Sequence, residues 1–462
     1  MRAFDLIVIG AGSGNSIVDE RFAHQRVAIL DNGRRFGGTC LNYGCIPTKM
    51  FVLPADLLAS PADAARVGVH LPTPSADWAQ VRDRIFGRID AISDAGQTWR
   101  ADNPEVTLFR DTGRFVGPKV LRVGQEEITA EKIVIAAGSR AVVPSIPGLS
   151  GAFDAGLAHI SDTVMRLDSL PSRITILGTG YIGAEFAHVF SAFGSHVTMI
   201  GRSDRVLSRE DDAVSERYTT LLAERIDLRL QRDAVGITVH DATVTVTTRG
   251  RDGSVEEVES DILLVATGRT PNSDTLDVAA AGIAVDPAGF VIVDDQQRTN
   301  VPGVWALGDV SSPWMLKHVA NHEARIVAHN LHDPEHPARN DRRPVPHAVF
   351  GHPQIAAVGL TEREAREGGL DVVVAVQDYA GTAYGWAMED DTSFVKIVAD
   401  ARTGRILGAH ALGPQASLLI QPLISAMTFD LRAADMARGQ FWIHPALTEV
   451  VENALLGLGR DR

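Results

Sequence analysis

The chain has 462 residues, 45% hydrophobic and 22% charged, which predicts about three globular domains with sizeable cores. Its net charge is −14 at pH 7, without a basic block, which speaks against nucleic acid and against an anionic membrane as partners. No apolar run approaches the roughly 20 residues that span a bilayer, and the opening MRAFDLIVIGAG reads as strand and turn rather than secretory leader, so the cytoplasm is the expected location.

Phe4–Ile9 reads as a strand, followed by the turn GAGSGNS with Gly10, Gly12 and Gly14, a helix to about His24, and a second strand ending at Asp31. Glycines after a strand let the backbone approach a pyrophosphate, which then sits on a helix N-terminus. Asn15 stands where a third glycine normally permits close helix–strand packing, so a small shift of that helix is expected. Asp31, about 20 residues past the glycines, suits ribose hydroxyls and an unphosphorylated adenosine.

The stretch GGTCLNYGCIPTK holds the chain's two cysteines, Cys40 and Cys45. In a regular helix residues five apart have Cα atoms roughly 8 Å apart, whereas a disulfide wants less than about 7 Å. Bridging therefore needs a distorted first turn, which Gly44 and Pro47 are expected to supply. So small a loop stabilises little, and a strained, reducible bridge suits a redox cycle. Zinc would need two further ligands, and no H-x₃₋₅-H pattern accompanies the thiols.

Further on, SADWAQVRDRIFGRIDAISDAG reads as an amphipathic helix and IVIAAGSR as a strand running into glycine. A second βαβ unit follows: RITILG, TGYIGAEFAHVFSAFG and HVTMIG, with Gly178, Gly180 and Gly183 all in place. Two such fingerprints, each inside a βαβ pattern, are strong evidence for two nucleotide sites. The second unit ends in Gly201-Arg202 with no acid. Arg202, with Arg205 nearby, suits a 2′-phosphate and hence NADPH over NADH. DILLVATGRTPN and VWALGDV repeat the strand-then-glycine form. From about Pro344 the pattern changes to strands (VPHAVFGHPQIAAVGLT, FVKIVAD, RILGAHALG) and helices (SLLIQPLISAMTF, EVVENALLG), read as a separate α+β domain.

His-Pro occurs at His336, His352 and His444, so the dipeptide alone is uninformative. His336 has an acid five residues on, Asp341, but lies in a polar, loop-like stretch. At His444, Pro445 suits the first position of a helix. Residues five apart on a helix diverge by about 140°, so a His444–Glu449 pair requires His444 just before the helix and Glu449 one turn in.

These residues resemble the pyridine nucleotide-disulfide oxidoreductases of the glutathione reductase and lipoamide dehydrogenase type, over essentially the whole chain. The resemblance implies an α/β fold: two Rossmann-like domains binding FAD (1–148 and 272–340) and NADPH (149–271), and a C-terminal α+β dimerisation domain (341–462). It implies interchange with substrate at Cys40, charge transfer to flavin at Cys45, Lys49 near flavin N5 paired with Glu185, and Tyr181 covering the flavin until nicotinamide enters. FAD contacts fall to Gly10, Gly12, Gly14, Asp31, Gly38, Thr39, Lys49, Gly138, Gly308 and Asp309, the last holding the ribityl chain. NADPH contacts fall to Gly178, Gly180, Tyr181, Gly183, Arg202 and Gly268. His444, oriented by Glu449, is implied to move protons to the thiols of the other subunit of a homodimer. GSGNSIVDERFA, LKHVANHEAR, YGWAMED and FWIHPALTEVVENALLGL narrow the likeness to the branch acting on mycothiol disulfide, the expected small-molecule substrate. An NAD-dependent lipoamide dehydrogenase is the first alternative, opposed by Gly201-Arg202. A non-catalytic flavoprotein redox sensor is the second, and it would not need Lys49, Glu185, His444 and Glu449 together. Enzymes with C-terminal thiols are excluded, since no cysteine follows Cys45.

Overall fold

Strand Arg2–Ile9 lies inside a seven-stranded sheet in the computed structural model, which describes residues 1–341 and 344–459. It pairs in parallel with Val27–Leu30 on one side and with Glu126–Ile135 on the other. Leu6, Ile7 and Val8 are fully buried, as expected where a parallel sheet is covered on both faces. Glu126–Ile135 serves two further partners. Its first residues pair antiparallel with Val120–Val123, and its last three pair in parallel with Val304–Ala306. The chain therefore returns to its first sheet after the second unit is complete.

The second unit is a five-stranded parallel sheet in the order Asp227–Arg229, His196–Ile200, Arg173–Leu177, Ile262–Val265, Ala158–His159. A three-stranded antiparallel sheet, Arg232–His240, Thr243–Gly250 and Val255–Ser260, is inserted into it. The ribbon of Ser139–Ala141 with Arg269–Pro271 joins the two units. The C-terminal unit is an antiparallel sheet of five strands, Pro346–Val349, Ile355–Gly359, Ile406–Leu412, Phe394–Asp400 and Val372–Asp378, whose own apolar core includes helices Gln421–Thr428 and Thr448–Gly457. Among the described residues no helix is long and apolar enough to cross a membrane.

Two local expectations need correction. The first glycine turn does not lead into a helix reaching His24: only the 3-10 turns Gly14–Ile17 and Glu20–Phe22 form. The cause is Arg100, buried at the end of helix Trp78–Ala101. It donates to the Asn15 and Val18 carbonyls at 2.7 Å each, and to Asn15 Oδ1 at 2.7 Å. These carbonyls are thus spent on a guanidinium instead of on helical N–H groups. Gly14 takes over the close-packing task, since a Cβ there would stand 2.7 Å from the Ala136 Cβ. The second correction is that the last helix starts at Thr448, not Pro445.

Candidate active site

Cys40 and Cys45 lie in different helices. Cys40 is the third residue of the short helix Gly38–Asn42 and Cys45 the first of the long helix Cys45–Arg66. The break between them falls at Gly44 (φ −129°, ψ −119°), where a Cβ would approach the Thr39 carbonyl to 3.2 Å. Gly44 and the non-helical Tyr43 before it (φ −142°, ψ −3°) therefore supply the distortion. Pro47 sits in the first turn of the long helix, where its missing N–H would have had no helical partner. Asn42 Nδ2 ties the short helix down through the Phe36 and Gly38 carbonyls, at 3.0 Å each.

Both cysteines are free thiols. The Cys40 thiol is lowered to about 7. The Cys45 thiol donating to it is the largest cause, aided by the Lys317 charge and the Ile46 backbone N–H and opposed by burial. Cys45 is raised, first because it holds the shared proton for Cys40, then by partial desolvation and by the Cys40 charge it faces. The two sulfurs titrate as a pair, one proton shared between them. We expect alkylation of the reduced dithiol by iodoacetamide to rise through a midpoint near 7. A midpoint near that of an ordinary thiol, about 8.5, would contradict a lowered first ionisation of the pair.

The thiols open into a cavity of about 1550 Å³ that reaches both glycine turns. It is also lined by Asp31, Thr39, Lys49, Gly138, Glu185, Tyr181, Arg202, Gly268, Gly308 and Asp309. Gly14 and Gly183 stand behind the lining. A Cβ on Gly38 (φ +78°) would meet the Gly12 Cα at 2.5 Å, and one on Gly183 the Gly178 carbonyl oxygen at 2.3 Å. Bare backbone is thus packed against bare backbone at both turns. This cradle, on the scale of two dinucleotides rather than one ordinary pocket, fits FAD and NADPH.

At the first turn Asp31 accepts from Arg110 Nη1 at 2.8 Å and from the Gly33 N–H at 3.2 Å. Burial nonetheless raises its carboxyl above the usual range. Asp309 Oδ2 accepts from Ser139 Oγ at 2.6 Å, and Arg269 Nε donates to that same hydroxyl at 2.8 Å. The Gly308 N–H donates to Glu323 Oε2 at 2.7 Å; burial raises Glu323 to about 7.

Lys49 and Glu185 influence each other through space, and both touch Phe350. Glu185 Oε1 accepts the Phe350 N–H at 2.9 Å, and Lys49 Nζ lies 3.6 Å from the Phe350 ring centre. Burial raises Glu185 to about 7 and lowers Lys49.

At the second turn, helix Tyr181–Phe193 presents its N-terminus to the cavity. Arg202 is exposed at the rim. Arg205 is already paired. Its guanidinium pairs with Asp212 at 3.1 Å and Glu216 at 2.9 Å, acids of the following helix. Arg232, overlooked in the sequence, lines the same end of the cavity, with its Nη1 buried and without a hydrogen-bond partner.

His444 and Glu449 lie outside this cavity lining. His444 Nδ1 is 2.7 Å from Glu449 Oε1, with the histidine side chain 70% exposed. A helix starting at Thr448 makes Glu449 its second residue, so the carboxylate faces the turn carrying His444 instead of pointing away. The other His-Pro histidines differ. His336 Nδ1 lies 3.2 Å from Asp333, and His322 Nε2 lies 3.4 Å from Asp341. His352 stacks on His188, ring centres 5.5 Å apart. Asp56, His188 and His352 bring three potential ligand atoms within 4.8 Å. However, Arg225 Nη2 sits 3.2 Å from His188 Nδ1. Arginine only donates, so Nδ1 accepts and Nε2 carries the proton toward Asp56, 2.8 Å away. That nitrogen keeps no lone pair for a metal.

The family profile "Pyridine nucleotide-disulphide oxidoreductase" matches residues 4–324, and that family's dimerisation domain matches residues 345–455. The chain belongs to the pyridine nucleotide-disulphide oxidoreductases, and as a member it is a disulfide oxidoreductase working with FAD and a pyridine nucleotide. It is 51% identical to the mycothione reductase of Mycobacterium tuberculosis over 468 residues, covering 99% of this chain and 100% of that protein. It is 36% identical to a dihydrolipoyl dehydrogenase of Haloferax volcanii, covering 98% and 96%. Among solved structures it resembles the HOCl-induced flavoprotein disulfide reductase RclA of Escherichia coli in its Cu(II) complex. There the TM-score is 0.86 at 30% identity, with 99% of each chain covered.

Proposed function

We propose that this enzyme reduces mycothiol disulfide with NADPH, through FAD and the Cys40–Cys45 pair. The observation that carries the redox reading is that both thiols share one cavity with both glycine turns. Full-length identity to mycothione reductase supports the substrate, and the acid-free Gly201-Arg202 end of strand His196–Ile200 supports NADPH. Sheet membership supports an FAD-binding domain of residues 1–148 and 272–340, an NADPH-binding domain of 149–271 and an interface domain of 341–462.

FAD, when bound, relays the electron pair of NADPH to the Cys40–Cys45 bridge. The reduced pair then passes those electrons to the substrate. Cys40 thiolate attacks one sulfur of the substrate disulfide, forming a mixed disulfide and releasing one thiol, protonated by His444. Forming that bond removes the charge from Cys40. Two of the four causes that raise Cys45, the hydrogen bond to Cys40 and the Cys40 charge, vanish with it. Cys45 can now ionise, attack the Cys40 sulfur and expel the second thiol, leaving the bridge oxidised. The order of the two attacks is thus built into the coupling of the sulfurs.

His444 is proposed to serve the thiols of a second subunit. It sits on an exposed surface with Phe441 and Ile443, 104% and 74% accessible. Such a cluster is costly to leave in water and fits burial against another copy.

The test is NADPH oxidation by the purified protein with mycothiol disulfide, glutathione disulfide and lipoamide. Mycothiol disulfide is expected to give the highest kcat/KM. Arg202→Ala is expected to erase about 10-fold or more of the preference for NADPH over NADH, the weight of one charged phosphate contact. Preference for lipoamide with NADH would overturn both assignments.

A further inference from the structure

Glu210 is 2% exposed and has no part in the chemistry above. Its Oε1 accepts from the Tyr181 hydroxyl at 2.7 Å and lies 2.8 Å from His347 Nε2. The Tyr181 and His347 rings stack, with centres 5.5 Å apart and planes inclined by 28°. Oε2 of the same carboxylate is buried without a hydrogen-bond partner, so its grip on these two groups is concentrated in one oxygen.

The three residues come from three places. Tyr181 opens helix Tyr181–Phe193, Glu210 precedes helix Asp212–Ala223, and His347 belongs to strand Pro346–Val349 of the C-terminal sheet. The next residue, Asp211, is pinned by Lys396 Nζ at 2.8 Å, and that nitrogen also reaches Glu362 Oε2 at 2.7 Å. Glu210 is therefore held fast between two units. Tyr181, 39% exposed in the cavity, is the part free to leave.

Burial alone would raise the Glu210 carboxyl, but the His347 and Tyr181 hydrogen bonds outweigh it and the net direction is down. Tyr181 is raised, by burial and then by the Glu210 charge. The phenol thus stays protonated and donates to an ionised acceptor, the stronger class of hydrogen bond.

We propose that Glu210 and His347 form a latch holding Tyr181 across the nicotinamide site, so that nicotinamide enters in competition with the Tyr181–Glu210 hydrogen bond. This rests on the reading of Tyr181 as the cover of that site. The apparent affinity for nicotinamide is then reduced by the fraction of molecules in which the latch is open. The C-terminal domain, through His347, helps to set that fraction.

The test uses the full-length holoenzyme and variants Glu210→Gln, Tyr181→Phe and their combination. Binding of tetrahydro-NADPH, which cannot give up hydride, is measured by calorimetry beside steady-state kinetics. Each single change is expected to tighten binding and to lower KM for NADPH by about five- to tenfold, the difference between a charged and a weakened hydrogen bond. The double variant is expected to gain nothing further. Unchanged or weaker binding in Glu210→Gln, or factors that multiply in the double variant, would overturn the latch. Tyr181→Ala separates the two readings. If it leaves binding where it was, the cover itself is refuted. If it tightens binding while Glu210→Gln and Tyr181→Phe do not, only the latch is refuted.

Discussion

Cys40→Ser is expected to lose disulfide reduction by a thousandfold or more, on the order of the loss when a nucleophile is deleted, while NADPH still bleaches the flavin band. The reason is specific to this site. Cys40 is the sulfur that the Cys45 thiol, Lys317 and the Ile46 N–H together favour as a thiolate. A serine hydroxyl there stays protonated at neutral pH and cannot attack the substrate disulfide, and Cys45 keeps the raising effect of desolvation. Cys45→Ser should fail differently. Cys40 can still attack once, but nothing resolves the product. The reduced variant is expected to trap about one substrate half per subunit as a mixed disulfide, visible by mass. If Cys40→Ser traps the adduct and Cys45→Ser does not, the roles of the two thiols are reversed.

Features written locally in the chain were legible. The second βαβ unit declares itself within about 30 residues through apolar runs and glycines, as do the two strands and the glycine turn of the first, and His444 and Glu449 are five positions apart. What escaped reading depends on distant partners. Arg100 lies 85 residues from Asn15 and replaces helical hydrogen bonds there, so the sequence around Asn15 looks helical and is not. Lys317, which biases Cys40, and Glu323, which holds the Gly308 N–H, come from a helix that closes on the site from far along the chain. Arg205 looked free for a phosphate because the acids that occupy it stand 7 and 11 residues further on, across a turn. Even the local His444–Glu449 spacing did not fix the start of the helix. That followed from the bonds Glu449 N–H to Ala446 O at 3.1 Å and Val450 N–H to Leu447 O at 3.0 Å, which place Glu449 next to the turn.

The proposal that His444 works across a subunit boundary makes the second large prediction. His444→Ala alone should cost about 10²- to 10⁴-fold, the usual range for a lost acid–base group. A loss of that size would also follow if His444 acted on its own chain. A mixture decides the matter. Cys40→Ser and His444→Ala are each expected to be nearly inactive as pure dimers. When the two are unfolded and refolded together, half of the dimers should be hybrids. Acting across the boundary, each hybrid assembles one complete site, from the intact Cys40 of one chain and the intact His444 of the other, and one site lacking both. The mixture then recovers about a quarter of wild-type activity, as two-fold symmetry requires. If His444 serves its own chain, every site in the hybrid lacks one group and activity stays at the level of the parents. The exposed His444–Glu449 pair, bonded at 2.7 Å outside the cavity lining that holds the thiols, favours the first outcome. The imidazole is oriented and desolvation awaits a second surface, so a dissociated subunit would carry a formed acid–base pair with no sulfur to act on.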